Sequence, residues 1–155
     1  MQFMRPDCRL TLREGLDELY AHAPAVAEVS ERKGKSFRDH DLTHVIFGCD
    51  TTLVGEMLLN PWILFGTTIT RKELRDYAAD AEVKRLNREG IDLLGGRLQA
   101  YGLFLVYYLP FYLWIWVKYI RSMSAKWPHS EVTEEMLNTP LDELRQSYGI
   151  RIYPQ

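Results

Sequence analysis

The chain has 155 residues and a formal net charge of -2, from 19 basic and 21 acidic side chains. This length suits one domain with its own core, and the near balance of charge argues against nucleic acid as a partner. Two cysteines, Cys8 and Cys49, are too few for a disulfide framework or a thiolate zinc cluster, which favours a reducing compartment.

Apolar residues recur mostly at intervals of three and four, which predicts an all-α fold over residues 1–155 with about six to seven helices. Thr11 and Glu14 form a capping box that begins the first helix, which continues through Tyr20 and ends before Pro24. The charged stretch SERKGKS, residues 30–36, is predicted to be a loop.

The next helix contains the sequence HDLTH. Ser36 is predicted to cap its beginning and Gly48 to end it. Asp50 or Thr51 then caps a short helix, which we expect to end near Asn60 because a proline follows that residue.

A connector over residues 62–70 leads to a second capping box, formed by Thr70 and Glu73. The helix that begins there is predicted to end at Gly90. Its apolar stripe comprises Leu74, Tyr77, Ala78 and Ala81.

A long apolar helix is predicted over residues 91–126, bent at Pro110. Thr139 and Pro140 begin the last predicted helix, which ends at Gly149.

The HDLTH helix carries a candidate metal site. His40, Asp41 and His44 fall within an arc of roughly 100° on one helix face, and two histidines four residues apart are spaced to chelate. Glu56 would join them as a fourth ligand if the chain turns at Gly48. Imidazole and carboxylate ligands suit zinc, iron or manganese, with magnesium also possible.

Two other interpretations of this segment stay open. The histidine pair is also compatible with two ordinary polar residues on a solvated face. HDLTH also resembles the HExxH helix of metallohydrolases, in which Asp41 would be a general base instead of a ligand, although aspartate is one methylene shorter than glutamate.

The segment HDLTHVIFGCDTTLVGE, residues 40–56, matches the metal-ligand signature of the coenzyme Q (ubiquinone) biosynthesis protein 4 family. Gly48 and Gly55 stand where that family tends to place glycine. The sequence PLDELR at residues 140–145, followed by Gly-Ile at 149–150, is similar to the family's closing pattern. The chain therefore resembles this family in two separate segments.

The resemblance implies an all-helical fold and a metal, usually zinc, held by His40, Asp41, His44 and Glu56. It also implies action on polyprenylated aromatic precursors of ubiquinone, by oxidative decarboxylation with hydroxylation at ring carbon one. The alternative that it suggests is a non-catalytic, isoprenoid-binding scaffold that organises other quinone-biosynthesis proteins. The resemblance leaves the oligomeric state open, a homo-oligomer included.

Residues 101–117, YGLFLVYYLPFYLWIWV, contain no charge and reach the lower length limit for crossing a bilayer. The segment is compatible with a membrane span, a fully buried core helix, or a helix that lines an isoprenoid tunnel or dips into a membrane surface. The resemblance favours the last of these, with the protein cytoplasmic and peripheral to the inner face of the membrane. The predicted lipid-binding residues are Tyr101, Leu105, Tyr108, Tyr112, Leu113 and Trp116.

Other polar residues are left outside the predicted site. His22 and His129 have no second ligand-type neighbour at useful spacing and are interpreted as surface or capping residues. The basic cluster of Arg71, Lys72 and Arg75 is typical of a solvated helix face.

Overall fold

Helices make up the secondary structure of residues 1–153, the part of the chain that the computed structural model describes, with only two isolated β-bridges besides. The predicted all-α fold and the long, bent apolar helix are confirmed. The α-helices are α1 (Leu12–His22), α2 (Pro24–Lys33), α3 (Lys35–Phe47), α4 (Leu53–Pro61), α5 (Arg71–Ala79), α6 (Ala81–Leu93), α7 (Arg97–Leu103), α8 (Leu109–Lys118), α9 (Glu134–Leu137) and α10 (Leu141–Tyr148).

The capping box of Thr11 and Glu14 is present at the start of α1. The predicted loop over residues 30–36 is wrong, because α2 begins at Pro24 and includes most of that stretch. Proline is well suited to the first turn of a helix, where its missing N–H would have no partner. Gly34, with φ of 79°, is the single residue between α2 and α3, and it takes the N-cap position predicted for Ser36.

The chain turns between α3 and α4 as predicted, but the predicted cap of the second helix, Asp50 or Thr51, is wrong, because Thr52 takes that position. Gly48 ends α3 in the left-handed conformation. Thr52 caps α4, and Asp50 accepts hydrogen bonds from Thr52. The predicted end near Asn60 is wrong, because the helix continues through Pro61 into a π turn, Trp62–Gly66, whose wider geometry follows the proline.

The second capping box, of Thr70 and Glu73, is also confirmed. The helix predicted to follow it is divided, because Asp80 leaves the helical conformation and caps α6. Gly90 lies within α6 instead of ending it. The chain turns after Leu93, where two successive glycines have positive φ.

The long apolar helix extends over Arg97–Ser122 and has 26 residues. It consists of α7, a π turn at Phe104–Tyr108, α8 and a final 3₁₀ turn, Ile120–Ser122. Pro110 lies in the first turn of α8, next to the π turn. The helix therefore begins later and ends earlier than the predicted range of 91–126.

The core is formed mainly by α1, α3, α4 and α10, and its largest fully buried side chains include Trp62, Trp127, Phe3 and Phe47. The long helix contributes little to it. Ile115 is the only buried residue in α8, and none in α7 is buried. The interpretation of the segment as a fully buried core helix is therefore wrong.

Arg145, on α10, is a buried cation that ties the core together. Its guanidinium donates to the carbonyl oxygens of Val45 and Ile46 in the last turn of α3 at 2.8 and 2.9 Å. It also donates to the carbonyl oxygens of Phe3 and Arg5 at 2.6 and 2.8 Å. Burial lowers the pKa of Arg145 to about 10. The first two of these bonds satisfy carbonyl groups at the end of the helix that carries the candidate metal ligands, and the other two join the N-terminal segment to α10.

Candidate metal centre

Three of the four predicted ligands come together in the structure. Ligand atoms of His40, His44 and Glu56 all lie within 4.8 Å of one another. Glu56 Oε1 is 3.2 Å from His44 Nε2, and Glu56 Oε2 is 4.0 Å from His40 Nε2. This two-histidine, one-carboxylate group could hold a divalent metal ion.

Two glycines allow α4 to approach α3 closely enough for this contact. Gly48, with φ of 66°, reverses the chain after α3. Gly55 lies directly against Asp50, so that a Cβ atom at this position would overlap the backbone and carboxylate oxygens of Asp50. Because Glu56 is the next residue after Gly55, this close packing determines where its carboxylate lies.

His44 is buried, and its orientation is held by the backbone. Its Nδ1–H donates to the Cys49 carbonyl oxygen at 3.3 Å, so Nε2 is the nitrogen that donates to Glu56 or could instead ligate a metal ion. Such a second hydrogen bond is usual for metal-binding imidazoles. Burial opposes the charged form, but the hydrogen bond to Glu56 and the nearby carboxylates outweigh it and raise the pKa of His44. The same pairing lowers the pKa of Glu56 against the effect of its burial.

Asp41 lies on the other side of His40. Its Oδ1 is 3.8 Å from His40 Nδ1, too long for a direct hydrogen bond, and its Oδ2 accepts from the Tyr20 hydroxyl at 2.9 Å. The Tyr20 hydroxyl is also 2.8 Å from Ser30 Oγ. Asp41 therefore lies outside the group of three and can support His40 only through the charge of its carboxylate.

His40 is also held by stacking. Its ring lies parallel to that of Tyr77, with centroids 4.9 Å apart and an interplanar angle of 16°. Tyr77 belongs to α5, so the predicted apolar stripe of that helix packs against the metal-site helix. Three different helices therefore position the donor group.

A cavity of about 600 Å³ adjoins two of the three candidate ligands. His40 and Glu56 line one part of it, and the Glu56 side chain is 41% exposed there. Most of the remaining wall is apolar and comes from α4, α5 and α6 and the segments beside them. Its members include Ile63, Ile69, Leu74, Val83, Leu86 and Ile91.

The long apolar helix does not line this cavity, so the interpretation in which that helix lines an isoprenoid tunnel is wrong for it. Tyr101, Leu105 and Leu113 are 65%, 62% and 54% exposed, and Trp116 is also exposed. Tyr108 and Tyr112 are half-buried. The six residues lie on an outer surface of the molecule, and a role for them in lipid binding stays a prediction.

His129 was left outside the predicted site, but it lines the same cavity as His40. The residue is only 6% exposed, and its Nδ1 is buried without a hydrogen-bond partner in the described residues. Burial lowers the pKa of His129, so the neutral imidazole is favoured. Nothing in the sequence around His129 indicates this, because the residues that it approaches are distant along the chain.

Arg71, Lys72 and Arg75 are exposed on the outer side of α5, and Lys72 and Arg75 lie near Asp76.

The long helix is also exposed. By length and composition it could cross a membrane. Only 6% of its most apolar stretch is buried within the protein, which is compatible with a membrane span and also with association at a membrane surface.

Comparison of this chain with protein-family models, with curated proteins and with solved structures finds no match.

Proposed function

We propose that this protein is a metal-dependent enzyme of ubiquinone biosynthesis that oxidatively decarboxylates a polyprenylated aromatic acid. The observation that carries the proposal is a three-ligand donor group, formed by His40, His44 and Glu56, at the wall of a largely apolar cavity. Three protein ligands leave coordination positions open, as in catalytic rather than structural sites. The apolar wall suits a prenyl chain.

The donor set fits zinc, and two histidines with one carboxylate also suit ferrous iron or manganese. A divalent metal held by these side chains would supply Lewis acidity toward the carboxylate or phenolate of the substrate. Cys49 and Tyr77 hold the two imidazoles in place, through a hydrogen bond to His44 and stacking on His40. The apolar wall keeps water from the ring while the tail stays in an apolar environment.

The net reaction replaces the carboxyl group at ring carbon one by a hydroxyl group. The carbon–carbon bond breaks and the carboxyl group leaves as carbon dioxide. One oxygen atom of dioxygen forms the new carbon–oxygen bond and the other leaves as water. Two electrons and two protons must therefore come from an external reductant.

The test is turnover of 3-geranyl-4-hydroxybenzoate by protein loaded with zinc, iron or manganese, in the presence of dioxygen and ascorbate. Mass spectrometry would follow the hydroxylated product, and trapping would follow released carbon dioxide. We expect product only in air and only with an intact Glu56, so that Glu56→Gln is inactive. An unchanged probe with every metal, both in air and without it, would contradict the proposal.

The second candidate is a non-catalytic scaffold that binds an isoprenoid and other quinone-biosynthesis proteins. The exposed apolar helix favours it, because a surface of this kind is typical of a partner or membrane contact. Copurifying isoprenoid together with stoichiometric metal and no turnover would support this candidate. In both cases we propose that the protein is cytoplasmic and peripheral to the membrane from which its lipid comes.

A further inference from the structure

We propose that His129 is a specificity-determining residue, whose imidazole hydrogen-bonds the ring hydroxyl of an aromatic acid bound in the cavity. The inference rests on the proposed function, because it concerns the ligand of the same cavity. It adds a polar contact that is separate from the metal ligands, and it explains a buried nitrogen that no residue in the described chain satisfies.

The backbone around His129 is held in place on several sides. Trp127 is fully buried. Its backbone N–H donates to the Gly66 carbonyl oxygen at 2.8 Å, and its own carbonyl oxygen accepts from the backbone N–H of Thr68 at 2.9 Å. His129 N donates to the Thr68 hydroxyl at 3.1 Å. The position of His129 at the cavity wall is therefore a consequence of the fold rather than of a loose loop.

The next residue, Ser130, adds two more contacts. Its hydroxyl donates to Glu73 at the start of α5 at 2.7 Å, and its carbonyl oxygen accepts from Lys35 of α3 at 2.7 Å. The loop is thus joined to α3, which carries His40, and to α5, which packs against His40 through Tyr77. In this otherwise well-bonded loop the imidazole of His129 has a buried nitrogen without a partner, as does the indole of Trp127.

An unpartnered polar atom inside a protein is unfavourable, so a buried histidine at a cavity wall usually serves a ligand or an ordered water. Two tryptophan nitrogens, of Trp62 and Trp127, are also unpartnered, but both rings belong to the hydrophobic core. His129 is different because it lines the cavity. The second torsion of histidine is broad, so a modest ring rotation can bring a nitrogen to a ligand atom.

The neutral imidazole has one donor and one acceptor, which suits a phenolic hydroxyl. His40 and His129 both line the cavity. A ligand whose carboxylate reaches the metal would then present a second ring substituent to His129. The ligand class is an aromatic acid that carries both a carboxylate and a hydroxyl group on one ring, with an apolar tail.

The test compares two probes with zinc-loaded protein by titration calorimetry, namely 3-geranyl-4-hydroxybenzoate and 3-geranylbenzoate, which lacks the hydroxyl. We expect wild-type protein to bind the hydroxylated probe about tenfold more tightly. His129→Phe should bind both probes equally, and His129→Gln should restore part of the difference. His22→Gln is the control, because His22 is exposed and remote from the cavity, and it should behave as wild type.

The outcomes separate the two proposals. If wild-type protein binds neither probe, the proposed function fails and this inference fails with it. If it binds both probes and the preference for the hydroxyl is the same in His129→Phe and His129→Gln as in wild type, only this inference is overturned. Zinc content, measured in parallel, should be unchanged in every His129 variant, since His129 lies outside the three-ligand group.

Discussion

At the scale of single residues, His44 is the most constrained of the three ligands. It is buried, its Nδ1 is committed to a backbone carbonyl, and its Nε2 faces Glu56. We expect His44→Ala to lose stoichiometric metal binding, because two remaining donors form a weak site. Elemental analysis of the purified variant checks this, with His22→Ala as control. Full metal occupancy in His44→Ala would show that His44 is not a ligand.

Asp41 differs from its predicted role as a direct ligand, and Tyr20 gives a way to test the supporting role. Tyr20→Phe removes the hydroxyl that holds the Asp41 carboxylate but keeps the ring. We expect metal affinity to fall by about 10-fold at most, since hydrogen-bonded partners of a ligating histidine typically contribute 10- to 100-fold and Asp41 lies beyond hydrogen-bond distance of His40. Competition with a chromogenic chelator measures the change. Tyr107→Phe, at an exposed tyrosine, should have no effect, and an equal loss in both variants would contradict the idea.

At the scale of elements, the close packing of α4 on the turn before it depends on Gly55. A Cβ at this position overlaps Asp50, so Gly55→Ala must push α4 outward and move Glu56. We expect a loss of about 1–3 kcal/mol in the free energy of unfolding, as for overpacked core sites, together with weaker metal binding.

Gly102→Ala is the matched control for Gly55→Ala. It lies in α7, and nothing stands within 4 Å of the added methyl group. We expect this variant to be more stable than wild type by about 0.5–1 kcal/mol, from helix propensity alone. Thermal melts and zinc titrations of both variants check the pair. Normal zinc affinity in Gly55→Ala would mean that the α3–α4 packing does not position Glu56.

Glu73 links the start of α5 to the loop that carries His129. Hydrogen bonds from Ser130 and from the backbone and hydroxyl of Thr70 lower the pKa of Glu73 to about 2. A carboxyl group whose pKa is lowered by folding stabilises the protein above its ordinary pKa of 4.5, and this stabilisation is lost as the pH falls toward 2. We therefore expect Glu73→Gln to be less stable than wild type at pH 7, with the difference shrinking between pH 4.5 and 2.

Denaturant unfolding across that pH range measures the effect of Glu73→Gln. Glu14→Gln is a useful comparison, since Glu14 occupies the same position in the other capping box but lacks a bond to a distant loop. The free energy of unfolding of Glu14→Gln should differ less from that of wild type than does the free energy of unfolding of Glu73→Gln. A constant difference between wild type and Glu73→Gln at all pH values would show that the ionised carboxylate is not what stabilises the loop.

Local patterns predicted those elements whose signals lie within a few residues. Both capping boxes and the left-handed Gly48 are of this kind. The sequence did not predict that α2 begins at Pro24, because a proline can follow the end of one helix or begin the next. Only tertiary packing decides between these two cases. The i, i+4 spacing predicted that His40 and His44 share a site. The spacing could not show whether the Asp41 carboxylate turns toward His44 and Glu56 or toward Tyr20, since a side chain at this position of the helix can reach either.

At the scale of the whole molecule, the long helix presents an apolar surface that the rest of the described chain does not cover. Composition indicated an apolar helix, but the burial of such a helix depends on packing with distant elements. The helix contacts α4 through α8 and α6 through α7. The cavity and His129 likewise arise from segments far apart in sequence, which explains why sequence patterns did not reveal them.

We expect Leu105→Arg and Leu113→Arg to weaken binding to uncharged phosphatidylcholine vesicles by about tenfold each, because each change replaces an apolar side chain of the contact by a charged one. Both residues are exposed, so thermal stability and zinc content should be unchanged. Ile115→Arg is the contrasting control, since Ile115 is fully buried and this variant should unfold. Vesicle co-sedimentation measures the binding, and wild-type binding by both leucine variants would exclude this face as the membrane contact.

The bonds made by Arg145 also affect how the protein is completed during translation. The last turn of α3 receives its hydrogen bonds from a residue that the ribosome adds about a hundred codons later. Two further backbone hydrogen bonds, from Leu141 N to the Leu10 carbonyl and from Leu12 N to the Thr139 carbonyl, join the start of α10 to the start of α1. The helix that carries the two histidines is therefore synthesised early and secured late. We expect the nascent chain to retain metal firmly only after α10 has left the exit tunnel.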